Sequence, residues 1–163
     1  MFIDGNHENF DRLLTEYPDT VRWGAPARRI GKNIYWLRRG QIYTIEERTF
    51  FCMGGAYSMD KYLRTPGVNW WPQELPGNDD YHTAIQNLQN HDMRVDYVLT
   101  HTAPQSLILR MGSAPDRHDA ELTGFLDWVW HDAAFRQWYF GHWHRDARIT
   151  DRAAAVYMDV IAV

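Results

Sequence analysis

Three short stretches of this chain bring together side chains able to bind a metal or move a proton. Near the start is Asp4-Gly5-Asn6-His7-Glu8-Asn9. Asn6 offers an amide oxygen to a hard cation, and His7 an imidazole able to bind a metal or move a proton. The second stretch is Thr100-His101-Thr102-Ala103-Pro104, and the third is Gly141-His142-Trp143-His144. Neutral imidazole is a common ligand for Zn, Mn, Fe or Ni, and Asn adds a harder oxygen donor. His142 and His144 are one residue apart, so on an extended segment both point to the same side and reach one small volume. Gly141 lets backbone approach a metal or phosphate closely. Taken alone, Gly-Asn-His is equally well a tight turn with a hydrogen-bonded histidine. The three stretches together are what suggest a site.

Each stretch needs an element to carry it. Met1-Phe2-Ile3 reads as a strand, Gly5 as a tight turn, and Phe10, Leu13, Leu14 and Tyr17 as one face of a helix. Side chains lifted out there stand at the C-terminal end of a strand, where open α/β sheets put their chemistry. Val95 to Thr100 reads as a buried strand delivering His101. Gln137-Trp138-Tyr139-Phe140 reads as another, delivering His142. Tyr81, Ala84, Ile85 and Leu88 predict one helix, with Asn78 or Asp79 as cap; Leu122, Phe125, Leu126, Val129, Trp130 and Ala133 predict a second. Pro18 to Arg29 reads as a connection. Asn33 to Arg38 and Gln41 to Ile45 read as paired strands across a turn at Arg39-Gly40, with Thr49 to Met53 as a third. A last strand is expected over about Ala154 to Val160. Between them runs an irregular segment, Ala56 to Gly77. Such a loop serves as a wall or lid, or else packs its tryptophans into the core. Tyr57, Ser58 and Arg64 are its candidate substrate contacts, unless they are ordinary loop residues.

Composition narrows the classes. The 163 residues fit one domain spanning 1–163, with 45% hydrophobic and 23% charged residues. Eight tryptophans and an aromatic share of 15% predict large rings in the core and at the site rim. A net charge of −4 without a basic run argues against general nucleic-acid binding. It leaves a phosphorylated substrate open, because bound dications invert the local field. The single Cys52 lies in an apolar run, reads as a buried inert thiol and fits a reducing cytoplasm. No apolar run reaches membrane-spanning length, so no membrane partner is expected.

In this order the three blocks resemble those of the calcineurin-like metallophosphoesterases. Gly5-Asn6-His7-Glu8 is similar to that family's Gly-Asn-His-Asp/Glu block, the His101 segment to its lone histidine block, and Gly141-His142-Trp143-His144 to its closing Gly-His-x-His. The resemblance implies an α/β fold, a β-sandwich of mixed sheets flanked by helices. It implies metal ligation by Asn6, His101 and His142, a contribution of His144 to a second metal, and an unligated His7 as general acid or charge stabiliser. The implied cofactors are one or two divalent ions (Mn, Fe, Zn or Ni). The implied activity is hydrolysis of a phosphomonoester or phosphodiester by a metal-bound hydroxide.

The chain also departs from the family. An Asp-x-His block and a Gly-Asp-x-x-Asp block normally stand upstream and supply the bridging carboxylate. Neither precedes Asp4 here. Asp80-Tyr81-His82 and Asp116-Arg117-His118 match Asp-x-His only as strings, beside expected helices. Half of a dinuclear site predicts impaired catalysis, an exposed apolar sheet edge and a possible homo-oligomer. A misplaced start, a genuine short protein and a degenerate homologue all fit. The alternative function is a non-catalytic metal-binding or protein-interaction module.

Overall fold

The computed structural model describes residues 1–163. Along the chain run β1 (Phe2–Ile3), α1 (Phe10–Thr15), β2 (Asp19–Arg22), β3 (Ala25–Arg29), β4 (Tyr35–Leu37), β5 (Gln41–Ile45) and β6 (Arg48–Met53). Then come α2 (Asn78–Asn90), β7 (Tyr97–Thr100), α3 (Gln105–Arg110), α4 (Ala120–Asp132), β8 (Gln137–Phe140), β9 (Ala147–Thr150) and β10 (Ala153–Ala155). Short 3-10 turns at Lys61–Leu63 and Pro72–Glu74 punctuate the segment between β6 and α2. This is an α/β fold with two mixed sheets. The four-stranded sheet has the order β1-β4-β3-β2, the six-stranded one β5-β6-β7-β8-β10-β9.

The six-stranded sheet is parallel through β6, β7, β8 and β10, with β5 and β9 antiparallel at its edges. Parallel strands are usually buried on both faces, and β6 shows why its sequence is a continuous apolar run. Phe50 and Cys52 point toward the other sheet, where Ala25, Ala27 and Leu37 meet them, beside Tyr43 and Tyr97 of their own sheet. Phe51 and Met53 point the opposite way, into a core built with α2, α3 and α4. Leu107 and Ile108 of α3 and Leu122, Leu126 and Val129 of α4 fill that core. Helix α1 closes the far side of the small sheet, packing Phe10 and Leu13 on Trp36 and Trp71. Cys52 is fully buried, and burial pushes its thiol pKa well up.

Three expectations about strands need correction. The runs around β4 and β5 are not a hairpin. β4 pairs with β3 and β1, whereas β5 pairs with β6 in the other sheet. The chain changes sheets at Arg38-Arg39-Gly40 because Arg39 turns inward to a buried partner, Asp4. Gly40, at φ +72, brings its backbone so close to α2 that a Cβ would lie 2.7 Å from the Ala84 nitrogen. The supposed connection Pro18 to Arg29 is itself a hairpin, β2–β3, turned at Trp23 and Gly24 with φ of 52 and 85. At the far end the expected strand is shorter: β10 stops at Ala155, and β9, which had no sequence counterpart, flanks it.

β1 forms one edge of the small sheet. Beside it lies an apolar groove of about 430 Å³, lined by Phe2, Ile3, Leu37, Leu99, Tyr139 and Val156 among others. No helix is long and apolar enough to cross a membrane.

Candidate metal centre

The C-terminal ends of β1, β6, β7 and β8 meet at one place, although 95 positions separate Asn6 from His101. Backbone bonds hold them: Gly55 N donates to Asp4 O at 3.0 Å, His101 N to Met53 O at 3.2 Å, and Gly141 N to His101 O at 3.0 Å. Close approach at Gly5 completes the arrangement. A Cβ there would sit 2.9 Å from the His101 ring, so only glycine lets the Asn6 turn lie against that imidazole.

Asn6 is buried and makes three side-chain contacts. Its amide nitrogen donates to Ser58 Oγ at 3.0 Å and faces His7 Nε2 at 3.3 Å. An amide nitrogen can only donate, so His7 Nε2 accepts and the neutral His7 ring carries its proton on Nδ1. The amide oxygen faces His101 Nε2 at 3.0 Å. That is about the spacing of two donors roughly 2.1 Å from one ion at a right angle. The His142 ring lies edge-on to His101, with centroids 5.2 Å apart. Asn6, His101 and His142 are therefore gathered at one place.

His142 and His144 do not lie on an extended segment. β8 ends at Phe140, and the two histidines take left-handed backbone with φ of 64 and 47. Trp143 N bonds back to Gly141 O at 2.7 Å. Left-handed conformations cost roughly 1–2 kcal/mol per non-glycine residue and persist where the surroundings over-determine them. As a result the two imidazoles diverge. His142 turns to His101, and His144, exposed, stacks on Tyr157 at 4.8 Å.

Electrostatics favour the ligand form of the inner pair. Burial lowers His101 to about 3, helped by the positive potential of His142, His7 and His144. Burial and His144 lower His142 to about 4. Both rings are therefore neutral at physiological pH, with a lone pair free for a metal. The donor set fits a divalent transition metal in its chemistry and in the Asn6–His101 spacing. As they lie, no three His, Cys, Asp or Glu side chains are grouped closely enough to hold one ion. Enclosing an ion would thus rest on the Asn6 oxygen and on rotation of His142 and His144.

These depressed histidines have a consequence for the metal-free protein. The unfolded rings protonate near pH 6.5 and the folded ones only near 4 and 3, so between those values the unfolded state binds more protons. Stability present above pH 6.5 is lost as pH falls. Asp119 acts in the opposite sense: burial, then Asp116, raises its carboxyl to about 6, so acidification relieves that cost. Two groups outweigh one. In chelator the melting temperature is expected to fall by several degrees from pH 7 to pH 4.5, and a flat profile would contradict the burial of this pair.

The loop residues fall into place differently. Tyr57 stacks on His118 at 4.6 Å, half-buried at the loop's start. Ser58 is fully buried behind Asn6, so its hydroxyl serves Asn6 and not an incoming substrate. Arg64 is held by both Asp60 oxygens, at 2.8 and 2.6 Å, and by Asn69 O. Asp80 bonds the Gly77 amide at the start of α2, and Asp116 bonds His118 in a surface turn; neither pair joins the cluster. The largest cavity, about 920 Å³, lies between α1 and the start of α2 and contains none of the histidines.

Sequence reasoning missed the Asp4–Arg39 pair and the buried Glu74. Arg39 donates to Asp4 Oδ2 through Nε at 2.8 Å and Nη2 at 2.5 Å, while Trp36 Nε1 donates to Oδ1 at 2.9 Å. A Cβ on Gly54 would lie 2.4 Å from Asp4 Oδ1, so that glycine admits the carboxylate. Its place at the end of β1 was the one available signal for Asp4; Glu74 had none.

Fold and site together define a two-sheet α/β protein with an Asn–His cluster at the joined ends of four strands. Compared with protein-family models, curated proteins and solved structures, the chain matches none.

Proposed function

We propose that this chain is a metal-dependent phosphoesterase acting on a phosphomonoester or phosphodiester, with its two sheets forming the helix-flanked β-sandwich of the calcineurin-like metallophosphoesterases. One observation carries the reading. Asn6 and His101, distant in sequence, converge at 3.0 Å with His142 beside them. These residues come from the three blocks on which the resemblance rests.

In this reading Asn6, His101 and His142 hold one divalent ion (Mn, Fe, Zn or Ni), and His144 contributes to a second. A bound ion would supply Lewis acidity toward the phosphoryl oxygens and lower the pKa of water toward ~7. The chain's own residues do the rest. The buried imidazoles stay neutral, and with an ion at its Nε2 the His101 ring would carry its proton on Nδ1. His7, exposed, presents an Nδ1–H that would donate a hydrogen bond to charge developing on a phosphoryl or leaving oxygen, and Asn6 fixes that tautomer by donating to Nε2. Asn6 and the four histidines provide no carboxylate, and Asp4 spends its charge on Arg39. A second ion is therefore held weakly and catalysis is impaired.

The groove beside β1 favours a second reading, a non-catalytic metal-binding or protein-interaction module that includes pairing with another copy. Turnover separates the two. Chelator-treated protein given Mn²⁺ is expected to hydrolyse an activated phosphodiester, and to stop when chelator returns. No turnover with any of the four metals would overturn the first reading and leave the second.

A further inference from the structure

Glu74 is 1% exposed, a carboxylate taken almost wholly out of water. Its Oε1 accepts from the Ser58 backbone N–H at 3.2 Å, and its Oε2 has no hydrogen-bond partner. Burying a carboxylate so poorly compensated is costly, and its position relative to the cluster offers a reason for it. Ser58, itself fully buried, carries the hydroxyl that receives the Asn6 amide nitrogen at 3.0 Å. The same hydroxyl donates to the Asn6 backbone oxygen at 3.4 Å. Arg39 anchors the turn that holds Glu74, donating to Gln73 O at 2.8 Å and Glu74 O at 3.3 Å while it grips Asp4. The chain of contacts thus runs from Glu74 through Ser58 to Asn6.

We infer that Ser58 and Glu74 are positioning residues of the metal centre, which fix the Asn6 amide with its oxygen toward His101 and its nitrogen away. The physical need is specific. The two ends of a carboxamide are nearly the same size, so packing alone distinguishes them poorly. Oxygen toward the cluster is a ligand; nitrogen there would turn two protons on a cation. Ser58 discriminates because its own proton is committed to the Asn6 carbonyl, which leaves its oxygen free only to accept. Glu74 discriminates indirectly, by holding the Ser58 backbone in register. Partners of this kind behind metal ligands typically change affinity by about 10–100-fold when removed.

This inference deepens the metal-site reading and rests on it, so its test has one readout without metal and one with it. With the amide oxygen facing His101 Nε2, the metal-free ring should carry its proton on Nε2. Long-range ¹H–¹⁵N NMR of the imidazole at fixed neutral pH reports this. The Nε2–H tautomer is expected to dominate in the parent protein. In Ser58→Ala the amide also populates the flipped orientation, and Nδ1–H should appear. Ser58→Thr, which restores a hydroxyl, should return the ring toward the parental state. Glu74→Met should act like Ser58→Ala, whereas Glu74→Gln, which keeps an acceptor for the Ser58 amide, should stay near the parent. With Co²⁺ as the probe ion, affinity followed by absorption should fall about 10–100-fold in Ser58→Ala and recover in Ser58→Thr.

An unchanged His101 tautomer in Ser58→Ala would overturn the inference whatever the metal affinity does. A shifted tautomer with Co²⁺ affinity equal to that of a metal-binding parent would overturn it as well, because the orientation would then not matter to the ion. A shifted tautomer in a protein whose parent form binds no Co²⁺ would sink the metal-site reading while leaving the Asn6 clamp intact.

Discussion

His101→Ala is expected to abolish metal-dependent turnover, with a loss of at least about 10²-fold and no measurable Mn²⁺ binding. The expectation follows from position. His101 stands between the Asn6 oxygen at 3.0 Å and the His142 ring at 5.2 Å, so its removal separates the remaining donors. It is also the most strongly shifted imidazole of the cluster, held neutral mainly by burial. Removing it should leave the fold in place, because the ring packs on a glycine face and makes one side-chain hydrogen bond. Phosphodiester hydrolysis, Mn²⁺ titration and a melting curve check the three parts together. Parental turnover in the variant would show that the chemistry lies elsewhere or in a contaminant. Lost turnover with a large fall in melting temperature would mean that His101 is structural first.

Asp4→Asn is expected to give the largest loss of stability of any single substitution near the site, about 3–5 kcal/mol. Asp4 is 0% exposed and Arg39 7%, with 2.5 Å between them. An asparagine can keep the Trp36 bond with its oxygen, but it then turns its amide protons toward a buried guanidinium. For a chain of this size the melting temperature should fall on the order of 10 °C. The pair's own net worth is a separate matter, since two charges removed together often cost little. Asp4→Asn combined with Arg39→Met removes the stranded charge but also the bonds to Gln73 O and Glu74 O, so it should recover only part of the loss. A drop below about 2 °C for Asp4→Asn alone would contradict the solvent exclusion described for this pair.

Legibility varied with the range of the interactions that decide each element. Helices α2 and α4 declare themselves, because Tyr81, Ala84 and Leu88, or Leu122, Leu126 and Val129, repeat at helical spacing and bury one face. β7 and β8 declare themselves as apolar runs between breakers. β2 and β3 do not: Arg22, Pro26, Arg28 and Arg29 read as loop chemistry, and only pairing across the Trp23-Gly24 turn makes them strands. β4 and β5 were visible as strands but not as members of different sheets. That choice is made by Arg39 reaching Asp4, 35 positions away, which no local pattern encodes. Asn6, His7, His101, His142 and His144 were identifiable from residue type and spacing. The left-handed turn at His142 and His144 was not, because an extended His-x-His and a strained one are written with the same letters. Ser58 attracted notice for the wrong face: its loop was legible as a wall of the site, but its burial depends on Asn6 and Glu74 arriving from either side.

The place of β10 in its sheet has a consequence for how the molecule comes into being. β10 lies between β8 and β9, so a strand made after both of them becomes an interior strand. Until residues 153–155 have cleared the ribosome, β8 has no partner on that side and β9 has none at all. The stretch that carries His142 and His144 sits in this interval, between β8 and β9. Parallel pairing already demands slow, long-range closure. Here that closure waits for residues 153–155, so the His142–His144 stretch is not enclosed in the sheet before they emerge, and a nick at this strand would open the sheet in its interior instead of trimming its rim.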